Sequence, residues 1–403
     1  MKHRSFTPLL LACFLCAAAV AQTDTAVLLD GTRVSKNVAG IADGKVSFDG
    51  DANAVDVQNL RRIERATAKA ETDAAARVYL TGGGYLRAKA VTLSETECNL
   101  EWAHGKLKLP IAGVRAIRFT NEADAKKLPA GHDVFDADVA APPPPGGAKD
   151  KVYVNLENKI QSFEGVFLDL SADQLKLNYD KEDRAIDRAK IFALMLAGTG
   201  KTPALTGLCH VQFADGSSAW AAVNKLVGGA GGNVELALAG GGVAMTVPWS
   251  AVMRVDVRSD RLVFLSDLEP IDVYERAIAD VGKWQRDKSV RGKPLTLKGR
   301  VFEKGLGVHA TSRLSYLADA KFGVFAATIG IDDATKGKGD CEFAVIADGK
   351  ELFRKRVKAG EDPTEVRVKI PEGTRKVTLA VEAGEDLDFA DHGNWCDARW
   401  IRE

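Results

Sequence analysis

The sequence predicts an all-β protein: four small antiparallel β repeats followed by a C-terminal β-sandwich. Three observations carry this. In "KVSFDG", "KLKLPI", "QLKLNY" and "VELALA", apolar residues alternate with polar or small ones, the period-two pattern of half-buried strands. Asp-Gly and Gly-Gly steps between such runs supply turn chemistry. Helical periodicity is scarce, its best case being a short connector over "ATAKAETDAAA", residues 66–76.

Taken in order, residues 1–21 read as a cleaved secretory signal. Lys2, His3 and Arg4 precede an apolar run from Leu9 to Val20, and Ala19-Val20-Ala21 gives the small-x-small cleavage pattern. Leu-Leu-Ala-Cys at 10–13 offers a lipoprotein alternative, but the apolar run before Cys13 is short. Export to a secreted, periplasmic or cell-surface location is therefore expected. Removing Lys2 and Arg4 turns a balance of 55 basic and 55 acidic residues into 53 against 55. No basic excess points to nucleic acid. No later run reaches the ~18 apolar residues of a membrane span. Four cysteines then remain, Cys98, Cys209, Cys341 and Cys396, too few for a disulfide framework.

Residues 22–130 hold repeats one and two, residues 131–150 a Pro-rich linker, and residues 151–260 repeats three and four. Each repeat, of about 45–55 residues, opens with a strand near Val27, Val78, Val152 or Val211 and ends on a closing strand. "AAPPPPGGAKD", residues 140–150, prefers an extended polyproline conformation and separates the two pairs. "AGTGKTP", residues 197–203, imitates a phosphate loop, but Met195 stands where the first glycine belongs and Pro203 precedes β-patterned sequence. "VGGAGGN", residues 227–233, reads as a hairpin loop. Neither a metal-ligand motif nor a nucleophile elbow is present.

Residues 261–403 differ in texture. "CEFAVIADG", "TEVRVKI" and "KVTLAVEAG" alternate well with short turn intervals, a sandwich pattern. "GLGVHATS", residues 305–312, sets His309 after two glycines that permit close backbone approach. It reads either as a histidine packed under a loop and hydrogen-bonded to a carbonyl or to Asp332, or as a ligand contact. In an extended strand Trp395, Asp397 and Arg399 share one face, with Cys396, Ala398 and Trp400 on the other. The first face could be a sugar site, with an aromatic ring and planar polar groups, or a salt-bridged edge. Asp332 and Asp333 could bind calcium or cap a turn. Cys341 and Cys396 could bond if their Cα atoms lie within ~7 Å.

"FLSDLEP" (264–270), "GKPLTLKGRVFEKGLGVHATSRLSY" (292–316), "FAATIGIDD" (325–333), "FAVIADGK" (343–350) and "DHGNWCDARW" (391–400) follow in order, and together resemble the NPCBM domain, also called carbohydrate-binding module family 51. The resemblance covers about residues 261–403. It implies a galactose-binding-like jelly roll, recognition of galactose-type glycans, and a structural calcium in some members. Trp284, in "GKWQRDKSV", matches a family tryptophan with different flanks. The expected ligand-binding set is Trp284, His309, His392, Asn394, Trp395, Asp397 and Arg399, with Asp332 and Asp333 for calcium and no required cofactor. The reading is an exported, non-catalytic glycan-binding protein whose repeats act as a spacer or a platform for other envelope proteins. Its alternatives are a structural envelope protein, which predicts a buried Trp395, and a glycosidase, which needs two carboxylates ~5–9.5 Å apart in a cleft.

Overall fold

A computed structural model describes residues 23–65, 73–119, 128–141, 149–198, 208–227, 231–240, 243–276, 282–385 and 387–402. The export segment, most of the 66–76 connector and the 199–207 part of the imitation phosphate loop lie outside them. Strands dominate. The "VGGAGGN" segment joins strands Ser218–Val227 and Asn233–Leu238, which pair antiparallel at Val227 and Asn233.

Four segments in the N-terminal part share one closing device, a single 3-10 turn followed by a strand. The turns are Val57–Asn59, Ile111–Gly113, Arg188–Lys190 and Trp249–Ala251. Pro110 and Pro248 precede two of them at φ −61 and −56, angles the proline ring imposes, and the Asp187 carboxylate caps a third through Ala189 N at 2.9 Å. The closing strands are Leu60–Glu64, Val114–Arg118, Ile191–Met195 and Val252–Val257. Each pairs with the opening strand of its own unit.

The closing strands also pair across units, Ile63 facing Val255 and Ile117 facing Leu194. Unit one thus joins unit four, and unit two joins unit three. Leu60, Ile63, Leu86, Leu175, Leu194 and Val252 belong to one continuous buried cluster. Each such fully buried side chain contributes roughly 1.5–3 kcal/mol of transfer free energy.

The proline run of the expected 131–150 linker lies outside the described residues. The strands that flank the linker, Val114–Arg118 and Asp150–Leu156, both pair with Ile191–Met195. Within the linker, His132–Ala140 is an α-helix. The helix has no apolar stripe. It is held by one side chain, Phe135, fully buried against Tyr79, Tyr153 and Phe192 at ring distances of 5.8, 5.1 and 6.0 Å. Asp138 ties it to Lys151 and Tyr153, both at 2.5 Å. No described helix is long and apolar enough to cross a membrane.

The C-terminal part is a sandwich of a six-stranded and a five-stranded antiparallel sheet. The first contains Gly305–His309, His392–Ile401, Val324–Ile331 and Thr364–Lys369; the second contains Ser312–Leu317, Lys376–Ala383, Asp340–Ala347 and Lys350–Lys358. Phe325, Ile329, Phe343, Val345, Leu379 and Trp400 fill the space between them.

The outer face of the six-stranded sheet is partly covered. The hairpin formed by Leu295–Leu297 and Arg300–Phe302 covers Cys396. Unit one covers another part, with Leu29 buried against Val324, Ala326 and Ile401, while Glu365, Arg367 and Lys369 at the sheet's far edge are exposed. Four residues, 258–261, separate unit four from the first sandwich strand. Arg261 Nη1 donates to Asn59 Oδ1 at 2.5 Å, and Arg254 Nη1 to Glu303 Oε1 at 2.5 Å. Buried Arg61 of unit one pairs with buried Asp397 of the sandwich.

Removing one member of a buried ion pair leaves the other charge in a dry site, a loss of about 3–5 kcal/mol. Asp397→Ala in the full chain is expected to fall in that range by urea denaturation. An effect under about 1 kcal/mol, the level of a surface pair, would contradict this role.

Candidate functional site

The strand His392–Ile401 carries most of the expected site, and it does not alternate simply. Asp397 has φ +52, and Asp397 with Ala398 stands opposite the single residue Ala327, between the pairs Arg399–Ala326 and Cys396–Thr328. This is a β-bulge, one extra residue that resets which face each side chain takes. Trp395 therefore shares the core face with Ala398 and Trp400, while Cys396, Asp397 and Arg399 face outward.

Two expectations are corrected by this. Trp395 is fully buried, edge-on to Phe325 and Phe343 at 6.0 and 5.1 Å, and offers no ring face to a ligand. Asp397 and Arg399 lie under unit one, 4% and 2% exposed. Burial raises the Asp397 pKa, but Arg61, Arg62 and Arg399 overcome it and hold the carboxyl below its usual value. Burial first, and Arg61 next, brings the Arg399 guanidinium down to about 10. The Asp397–Arg399 pair is a sealed joint.

The remaining residues meet at the other end of the same strands. His309 and His392 are directly paired across Gly305–His309 and His392–Ile401, with ring centroids 5.5 Å apart. Gly307 is required there because a Cβ would meet Lys288 O at 2.3 Å. His309 Nδ1 donates to Ala310 O at 2.5 Å. Its pKa is lowered by burial, against the Ala310 carbonyl and Asp388, with Arg291 adding to the lowering. His392 is brought to about 4 by burial first, then by His309 and Arg291, against Asp332. Both imidazoles are thus neutral at neutral pH, able to donate and accept hydrogen bonds.

The loop before His392 completes this rim. Asp388 acts on the His309 ring, and the next residue, Phe389, is 67% exposed, with Leu387 at 69%. The loop is held by Asp391, whose Oδ1 accepts from Asp340 N at 2.8 Å and whose backbone carbonyl accepts from Ala310 N at 3.0 Å. Sequence reasoning missed Phe389. The available signal was an aromatic in the turn "DFAD" immediately before the DHGNW stretch. Trp284 is half-buried, with the Arg286 guanidinium 5.2 Å from its ring, and its backbone N donates to Glu275 Oε1 at 2.6 Å. The pairing of Gln285 with Gly307 sets Trp284 level with Val308, and its ring packs at the edge of the sandwich core on the Val308 face rather than the His309 face.

Asn394 is buried; its Nδ2 donates to Asp332 Oδ2 at 2.6 Å, and its Oδ1 has no hydrogen-bond partner. Asp332 also accepts from Thr296 N at 3.2 Å and Ala334 N at 3.0 Å. Asp333 accepts from Lys298 N and Gly299 N, both at 2.8 Å, and fixes the 295–302 hairpin. All four oxygens serve as caps, and among the described residues no three His, Cys, Asp or Glu side chains converge on a cation position. The pair does not fit a calcium site. Cys341 and Cys396 are buried and not joined by a disulfide, the first in the sandwich core and the second under the outer hairpin, so the bridge considered for them is not made.

The C-terminal part is thus an antiparallel sandwich whose rim carries two neutral imidazoles and, on the adjacent loop, an exposed phenyl ring. Residues 261–401 match the NPCBM/NEW2 domain, and the C-terminal part of the chain is a domain of that family. A putative endo-alpha-N-acetylgalactosaminidase of Renibacterium salmoninarum is 34% identical over 114 residues, 27% of this chain and 7% of that protein. The alpha-1,3-galactosidase B of Akkermansia muciniphila is 27% identical over 125 residues, 30% of this chain and 16% of that protein. The chain thus spans less than a fifth of the length of these relatives. A solved CBM51 from Clostridium perfringens GH95, in complex with methyl-galactose, is 28% identical with a TM-score of 0.32, covering 35% of this chain and 99% of that one.

The imidazole pair makes the fold acid-sensitive with a definite sign. The unfolded His392 has a pKa near 6.5 and the folded one about 4. Between these values the unfolded chain takes up a proton that the fold refuses. Stability is complete above pH 6.5, falls toward pH 4 and then levels, by on the order of 2–3 kcal/mol. Urea midpoints at about pH 7.5 and about pH 4.5 should differ less for His392→Gln than for the parent chain. An equal difference in both chains would contradict the buried neutral imidazole.

Proposed function

We propose that this protein is a non-catalytic carbohydrate-binding protein whose rim at His309, His392 and Phe389 takes a neutral, galactose-type sugar, while the N-terminal units hold the sandwich rigidly. One observation carries this reading: two uncharged imidazoles face each other across paired strands, and the loop whose Asp388 bears on the His309 ring also presents the exposed Phe389 phenyl. A pyranose presents an apolar C–H face and a fringe of hydroxyls. Phe389 supplies the face for the first. His309 and His392 supply both donor and acceptor for the second, and Arg291 and Asp388 flank them with charge. Galactose suits such a ring because its axial 4-hydroxyl leaves a continuous C–H patch on one face. The NPCBM/NEW2 match supports carbohydrate, and the names of the two partial relatives support galactose-type sugars.

Two rim carboxylates, Asp332 and Asp391, are committed to backbone N–H groups, which argues against a glycosidase pair there. A second reading, a structural protein of the envelope, is favoured by a specific observation: Trp395 is buried and Asp397 is sealed under unit one.

Glycan-array binding of the full chain separates the two readings. Terminal galactosides should bind, and Phe389→Ala should weaken them about ten-fold without changing Tm. Binding unaffected by Phe389→Ala would remove the rim, and a folded chain that binds no glycan would leave the structural reading. Export of the chain through residues 1–21 belongs to the same proposal. N-terminal sequencing of the secreted protein should then begin at Gln22, and retention of Met1 would refute it.

A further inference from the structure

We infer a second carbohydrate subsite, for a neutral oligosaccharide, in the cleft where units one and four meet the sandwich. It does not rest on the rim. Its lining residue Lys304 immediately precedes the strand Gly305–His309 and so lies five residues before His309, roughly 16 Å away. The cleft encloses about 730 Å³, within the range of small-molecule sites.

The walls name the ligand class. Trp220 of unit four is half-buried, with its ring 5.1 Å from His210 and 5.7 Å from the Arg258 guanidinium. Phe264, on the first sandwich strand, is also half-buried in the lining. Around these rings most of the charges are already paired, while Arg258 lies against the Trp220 ring. Arg254 grips Asp256 in a bidentate way, Nε to Oδ2 at 2.6 Å and Nη2 to Oδ1 at 2.8 Å, and reaches Glu303 at 2.5 Å. Arg62 Nε lies 3.3 Å from Asp256. Lys304 bonds Asp267 at 2.5 Å and Asp287 at 2.9 Å.

An ionic ligand would have to compete with these pairs and desolvate them. A hydroxyl-rich ligand would not. Each guanidinium has five N–H donors and each carboxylate about four acceptor directions, so a pair retains capacity for hydroxyls after its own bonds are made. Pairing also holds the planar groups in place, which lowers the entropy lost on binding. Aromatic faces beside immobilised planar polar groups recognise neutral sugar. The site spans two parts of the chain, since Arg62, Arg254 and Trp220 come from the units and Phe264, Lys304 and Glu303 from the sandwich.

The test is calorimetric titration of the full chain with three neutral tetrasaccharides that contain no galactose (mannotetraose, cellotetraose and xylotetraose) and one sulfated heparin tetrasaccharide. At least one neutral probe should bind the cleft. Trp220→Ala should weaken that binding about ten-fold and Trp220→Phe by no more than about three-fold, with Phe389→Ala leaving it unchanged. Raising salt from about 0.05 to about 0.5 M should change the affinity less than about two-fold, as for an uncharged ligand. Binding insensitive to Trp220→Ala in a chain of unchanged Tm would overturn the subsite. So would binding of the sulfated probe alone with steep salt dependence, or no binding by any neutral probe. A rim that fails would show separately, as galactoside binding indifferent to Phe389→Ala.

Discussion

Asp397 is a carboxylate almost wholly removed from water, and the rest of the molecule is arranged so that it can be there. A lone buried charge is costly; this one is answered by Arg61 from a different part of the chain, with Arg62 and Arg399 close enough to favour its ionised form. The bulge that turns Asp397 outward also turns Trp395 inward, so a single backbone irregularity sets both the core and the joint. Leu29 then closes over the adjacent apolar surface. The sandwich is therefore continuous with the units that precede it.

The same strands connect this joint to the rim. Their far end carries two histidines that face each other where like charges would repel, and burial keeps both neutral. The surrounding carboxylates have separate roles. Asp332, Asp333 and Asp391 hold loops through backbone N–H groups, while Asp388 bears on the His309 ring. A site of this kind recognises by shape and hydrogen bonding rather than by net charge.

The sandwich was legible because its strands alternate and its turns announce themselves, as in "CEFAVIADG" meeting "ADGK". The helix His132–Ala140 was not, since Phe135 is its one fully buried apolar side chain and it has no periodic face. Nor was the cross-unit pairing of closing strands, because Ile63 and Val255 meet through a register that no local pattern encodes. At the site, His309 and His392 could be singled out by their glycine and Asp-His settings. Trp395 was misplaced because strict alternation assumes a regular strand, and a positive φ at a non-glycine residue leaves no mark in sequence; Asp397 and Arg399 face outward as alternation expects, but the covering by unit one is a long-range contact that no local pattern encodes. Phe389 was passed over because an exposed aromatic in a turn looks like any other loop residue until its neighbours in space are known.

The short 258–261 connection has a consequence for crowded surfaces. A lectin on a long tether gains avidity by searching, its second contact governed by an effective concentration that the tether sets. Here the rim's direction is fixed by the body that carries it. Copies displayed side by side would hold their rims at set angles and spacings, so multivalent capture would be decided by whether the target's own sugars match that lattice. Selectivity would then reside in the pattern of sugars on a surface as much as in the sugar itself.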